Sequence, residues 1–200
     1  IVYFLQQGTP FIYQGQEIGM TNYPFESVET FNDVAVVNEY NIVKSQNGDV
    51  SALLEKHKME NRDNSRTPMQ WNNQTNSGFS EHSPWFPVNP NYKTINVADQ
   101  QQDPNSILNF YKSLITLKKS DDIYTYGTFD LVDKNNEQVF AYTRTLNNKK
   151  VLIVANLTNQ TATFKYDNSI NQDNILLHNY KNEAIDINAI KPFEAFVLST

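Results

Sequence analysis

Apolar residues recur at helical spacing before residue 120 and in short, closely spaced runs after it. Phe31, Val34, Val37, Tyr40 and Ile42, with polar residues between them, predict a helix over 30–44 with Thr30 near its start. Asp49 ahead of Ala52-Leu53-Leu54 predicts a second, shorter one. Asp103-Pro104 is a stronger start signal, because Asp caps free amides and Pro suits the first helical turn. Ile107, Leu108, Tyr111, Leu114 and Ile115 then form one apolar stripe, ending at Lys118-Lys119, where positive charge suits a helix C-terminus. Beyond residue 121 the runs 127–133, 138–145, 150–157, 161–166, 175–178 and 194–198 predict strands separated by Asn-rich turns. That spacing is the pattern of an antiparallel sandwich.

Near the start, Phe11, Ile12 and Tyr13 form an apolar run between Pro10 and Gly15, the pattern of a strand buried on both faces. Such a strand needs a partner on each side, and no earlier part of the chain supplies one. The chain is therefore expected to be the C-terminal piece of a larger protein. Its apolar start, Ile1 to Leu5, reads as the tail of a helix rather than a signal peptide. Residues 61–102, with Pro68, Pro84, Pro87 and Pro90, predict a long ordered loop of the kind that carries function in compact domains. Phe79, Trp85, Phe86 and Tyr92 are its candidate anchors.

Composition narrows the function classes. The chain is 39% hydrophobic and 19% charged, an ordinary globular balance. No apolar run approaches the roughly 20 residues of a membrane span, so no membrane association is expected. Net charge is −6 with no basic block, which argues against nucleic acid as a partner. With no Cys there is no disulfide framework and no thiolate ligand, which fits a cytoplasmic location. His57, His82 and His178 show no metal-ligand spacing. Three triplets, at Asn73, Asn156 and Asn159, match glycosylation acceptors, a weak signal in an Asn-rich chain.

Two segments carry candidate chemistry. Gly15-Gln16-Glu17-Ile18-Gly19 sits where the expected strand ends, and in a parallel α/β barrel that end faces the active site. Glu17 there is read as a loop-shaping carboxylate in preference to a reacting one. In Asn61-Arg62-Asp63-Asn64-Ser65-Arg66, two guanidinium groups stand close to a carboxylate. Such a network either orients a neutral polyol or ties the loop down, and residue chemistry alone leaves both readings open.

Together these segments resemble the α-glucosidase branch of family 13 of the glycoside hydrolases, the α-amylase family, and most closely its oligo-1,6-glucosidase group. G-T-P-F-I-Y-Q-G-Q-E-I-G-M-T-N is similar to the eighth barrel strand and its loop. N-R-D-N-S-R-T-P-M-Q-W, followed by P-W-F-P-V-N-P-N-Y, is similar to the long loop before the last barrel helix. The likeness runs on through A-Y-T-R, V-L-I-V-A-N-L-T and P-F-E-A-F-V-L.

The resemblance implies α/β plus all-β architecture: the C-terminal portion of a (β/α)8 TIM barrel over 1–120, then an antiparallel β-sandwich over 121–200. It implies a retaining enzyme in which one carboxylate attacks the sugar and another protonates the leaving oxygen. Those carboxylates are implied to lie upstream of Ile1, so this chain holds no catalytic residue, and the isolated piece is expected to be inactive. Arg62 is implied to hydrogen-bond the non-reducing glucose, while Arg66 and Glu17 remain structural. No cofactor or metal is expected. The implied partners are an oligosaccharide, the missing part of the barrel and, through exposed apolar edges, other copies of the chain. Many isomaltose-cleaving relatives carry an acidic residue where Ala35 stands, so no linkage preference is implied. A non-catalytic carbohydrate-binding module and a transglycosylating relative remain as alternatives.

Overall fold

The computed structural model describes residues 1–166, 170–181 and 183–200. They form two compact units, Ile12–Leu108 and Ile1–Phe11 with Asn109–Thr200.

The unit Ile12–Leu108 is helical. Helix α1 (Val34–Ser45) is capped by Asp33, whose side chain accepts from the Ala35 amide at 3.0 Å. Helix α2 (Val50–Glu60) is capped by Asp49, as expected, through the Ser51 and Ala52 amides. The start predicted at Thr30 is corrected to Asp33. Thr30 closes a separate 3-10 turn, Val28–Thr30, and Phe31 is extended, folding back onto Phe25 with ring centroids 4.1 Å apart. Phe25, Val28, Phe31 and Val36 make this unit's apolar cluster.

The long loop is ordered by short 3-10 turns, Arg62–Arg66, Thr75–Gly78 and Pro90–Lys93, before helix α3 (Val97–Gln102). Of its expected anchors Phe86 is buried, but Trp85 and Phe79 are exposed and do not pin it. Amide side chains do so instead, Asn89 donating to the carbonyls of Thr21 and Asn22.

In the unit containing Asn109–Thr200, helix α4 (Ile107–Ser120), whose first two residues fall in the other unit, and helix α5 (Ile123–Tyr126) precede a five-stranded antiparallel sheet. Its strands are β1 (Thr128–Val132), β2 (Val139–Leu146), β3 (Lys149–Asn156), β4 (Ile175–His178) and β5 (Ala195–Ser199), in the order β1-β2-β3-β5-β4. Strand β3 lies at the centre. Its Val151 and Ile153 pack with Phe4, Leu5, Leu114 and Tyr124 on one face, while Leu152 and Val154 pack with Phe164, Ile185 and Ile190 on the other. A strand covered on both sides has no polar face, which is why it reads as an unbroken apolar run.

Two expected strands are absent. Residues 161–166 bury Ala162 and Phe164 but make only one bridge, Ala162 with Ile190. The next bond joins the Phe164 amide to Ile187, a one-residue slip that ends the ladder. The second sheet of a sandwich is thus an irregular layer among the described residues. Residues 11–13 are also not a strand. They have no ladder partner among the described residues, and Phe11 and Tyr13 are 84% and 60% exposed, against the two-sided burial expected. No helix among the described residues is long and apolar enough to cross a membrane.

Candidate substrate-binding site

The candidate site is built on the turn Arg62–Arg66 in the unit Ile12–Leu108. Asn61 ends α2 and starts this turn, its side chain accepting from the Asp63 amide at 2.7 Å. The tight turn points Asp63 inward, where it is fully buried. One oxygen of Asp63 accepts from the backbone amides of Asn32 and Asp33 at 2.7 and 3.0 Å, and the other from Arg66 Nη1 at 2.9 Å. The turn is thereby bolted to the N-terminus of α1.

Arg62 points outward. Its Nε and Nη2 donate to the two oxygens of Asp33 at 2.7 and 2.9 Å, a bidentate pair in which Asp33 is 4% exposed and Arg62 68%. The hydrogen bonds from Arg62 and Ala35 hold the Asp33 carboxyl below its ordinary range, and the same pair raises the Arg62 pKa. Two linked acids are thus flanked by two bases, Arg62-Asp33-Asp63-Arg66, and their charges cancel. Sequence reasoning missed Asp33, although its place just ahead of Val34-Ala35-Val36-Val37 is a cap signal.

Glu17 folds back on its own loop, its Oε2 accepting from the Gly15 amide at 2.8 Å. Gly15 has φ 94°, and a Cβ there would meet Met20 Sδ at 2.5 Å, so only glycine fits the bend. The Tyr13 hydroxyl donates to the Ser65 carbonyl at 2.8 Å, joining this loop to the turn. Between them lies a cavity of about 350 Å³ lined by Tyr13, Gln16, Thr21, Asn22, Asn64 and Ser65. Arg62 is not part of that lining.

His57 pairs with Glu39 at 3.0 Å and the buried His178 with Glu194 at 2.8 Å, and no group of three potential metal ligands occurs among the described residues. The side-chain amide of Asn156 is buried and donates to Gln160, Ile190 and Lys191, which spends the group glycosylation would need.

Residues 1–127 match the family model of the alpha amylase catalytic domain. The chain belongs to the alpha-amylase family. Residues 139–195 match a second model, the alpha-amylase SusG C-terminal domain. Among family members, the oligo-1,6-glucosidase of Bacillus cereus is 42% identical over 201 residues, 98% of this chain and 36% of that protein. That of Parageobacillus thermoglucosidasius is 43% identical over 199 residues, 96% of this chain and 35% of its own length. The crystal structure of Bacillus licheniformis trehalose-6-phosphate hydrolase superposes with a TM-score of 0.91 at 35% identity, over 99% of this chain and 37% of that one. The isomaltulose synthase of Klebsiella sp. LX3 gives 0.90 at 34%, over 99% and 36%. The chain therefore spans little more than a third of the length of the curated relatives it matches.

Proposed function

We propose that this chain is the C-terminal part of a retaining α-glucosidase that releases glucose from the non-reducing end of short α-glucosides. The observation that carries the reading is 42% identity to an oligo-1,6-glucosidase along 98% of the chain. Residues 1–120 are assigned to the end of the catalytic barrel and 121–200 to a sandwich-type C-terminal domain, an assignment that the extents of the two family models support. The nucleophile and the acid of the double displacement come from elsewhere in the whole protein, which also covers the exposed apolar residues 11–13. Cytoplasmic location is part of this proposal, supported by the absence of Cys.

Within that enzyme Arg62 is the substrate contact. A neutral sugar offers hydroxyl oxygens, and a charge-compensated guanidinium donates to them while the site as a whole carries no net charge. The whole protein is expected to liberate α-glucose, or glucose and its phosphate, from at least one of isomaltose, maltose, sucrose and trehalose 6-phosphate. Failure on all four overturns the proposal. The likeness to isomaltulose synthase at 34% identity supports a second reading, transfer of the glucosyl group within sucrose. Chromatography of the sucrose products separates the two, since hydrolysis leaves glucose and fructose while transfer leaves an isomeric disaccharide.

A further inference from the structure

A guanidinium has five N–H donors in a planar fork. The contacts of Arg62 spend two of them, one on Nε and one on Nη2, both on Asp33. Both hydrogens of Nη1 and the second of Nη2 have no partner among the described residues. The spent edge faces a buried acid and the free edge faces outward. An arginine this exposed ordinarily wanders among rotamers, and a ligand that orders it must offset the lost side-chain entropy. Asp33 removes that freedom before any ligand arrives.

Asp33 can do so because it is itself immobilised. Its Oδ1 caps α1 through the Ala35 amide, and its own amide is held by the buried Asp63. Asp63 is fixed in turn by Asn61, Asn32 and Arg66. Both oxygens of the acid have partners, and its side chain is almost fully buried.

We propose that Asp33 is the positioning residue for Arg62, holding the guanidinium edge-on so that Nη1 donates to the hydroxyls of the bound glucosyl unit, and that it touches no substrate itself. This rests on the reading of Arg62 as the sugar contact. It departs from the plainer role of Asp33 as a helix cap, and the two roles separate experimentally. Asn caps a helix about as well as Asp, but it cannot accept a charge-assisted bidentate pair.

The test uses the whole enzyme, with p-nitrophenyl α-glucoside as probe and Asp33→Asn, Arg62→Ala and the double variant compared. Asp33→Asn is expected to keep its thermal unfolding midpoint while kcat/KM falls on the order of 10²-fold, the scale of a misplaced binding group. In the Arg62→Ala background the same change is expected to cost nothing further, because the group it positions is gone. Should Asp33→Asn unfold the protein, Asp33→Ser, which also caps, is expected to show the same dependence on Arg62. Equal losses with and without Arg62, or full activity in Asp33→Asn beside a crippled Arg62→Ala, overturn the positioning role alone. Full activity in Arg62→Ala overturns the substrate contact and this proposal together. A wild-type enzyme inactive on every α-glucoside overturns the glucosidase reading beneath both.

Discussion

Phe193 is exposed, yet it holds a φ of 55°, a region that Asn and Asp enter with side-chain help and an aromatic residue enters only under strain. The other non-glycine residues there, Asn47, Asn76, Ser77, Asp133 and Asn147, are all small and polar. The bend at Phe193 is imposed by its neighbours. Glu194 Oε2 accepts from the Lys191 amide at 2.7 Å, its Oε1 meets His178 at 2.8 Å, and the Phe193 amide donates to the Thr158 carbonyl at 3.0 Å. Glycine suffers no penalty in this conformation but loses more entropy on folding, so Phe193→Gly is expected to stabilise by about 0.5–1 kcal/mol. A higher urea midpoint at unchanged m checks this, and a lower one would mean that the ring has a packing partner. Residues were legible from sequence when their partners were local, as with the cap Asp49. The pairing of Arg62 was not legible, because its partner Asp33 lies 29 positions away. Thr30 misled because Phe31, although in phase with the helical stripe, belongs to the cluster of Phe25 and Val28.

Strand β2 buries Arg144 completely, and no carboxylate among the described residues answers its charge. Instead Nη1 donates to the carbonyls of Leu5 and Tyr124 at 2.6 and 3.0 Å, Nη2 to that of Gly127 at 2.8 Å, and Nε to that of Thr128 at 3.2 Å. One side chain thus joins the N-terminal segment, the end of α5 and the edge strand β1. Burial lowers its pKa, and the four carbonyl dipoles keep the charge tolerable. Arg144→Met keeps much of the volume but strips the buried Leu5 carbonyl of its donor, while the carbonyls of Gly127 and Tyr124 keep Gln7 and Lys118 and that of Thr128 lies at the exposed edge. A buried acceptor left unpaired costs about 1–3 kcal/mol. A loss of about 1–3 kcal/mol is expected by denaturant titration; no measurable loss would mean that water replaces the guanidinium. Elements were legible in the same measure as their ladders are complete. Strand β4 falls where its apolar run predicts, at Ile175–His178, and β2, β3 and β5 lie within a residue or so of their predicted ends. Residues 161–166 share that composition, but their pairing slips after one bridge, and a slip in register is not written in hydrophobicity. Residues 11–13 failed for a related reason: an apolar run of three becomes a strand only beside another.

At the scale of the whole molecule the two units differ in what holds them. Asn109–Thr200 with Ile1–Phe11 has an apolar cluster on each face of its sheet, meeting at Leu152, Ile153 and Val154, none of which is exposed at all. Ile12–Leu108 has one cluster of four buried residues and otherwise depends on caps, amide side chains and the Arg62-Asp33-Asp63-Arg66 network. Opening free energies follow the density of buried apolar contacts, and polar networks at a surface yield first. The change of texture near residue 121 marks where the strands begin, whereas the sheet unit takes in the chain from Asn109. Its extent was not legible, since Phe4 and Leu5, far off in sequence, complete the sheet unit's core. In hydrogen exchange on this chain, amides of β3 and β5 are therefore expected to be the slowest, exchanging only on global unfolding. Amides over 61–102 should exchange orders of magnitude faster through local opening. Equal protection along the chain would contradict this, and would mean that self-association through exposed residues such as Phe11, Ile12 and Tyr13 shields the weaker unit. Sedimentation velocity at the same concentration identifies that case, because a monomer cannot protect what its own core leaves open.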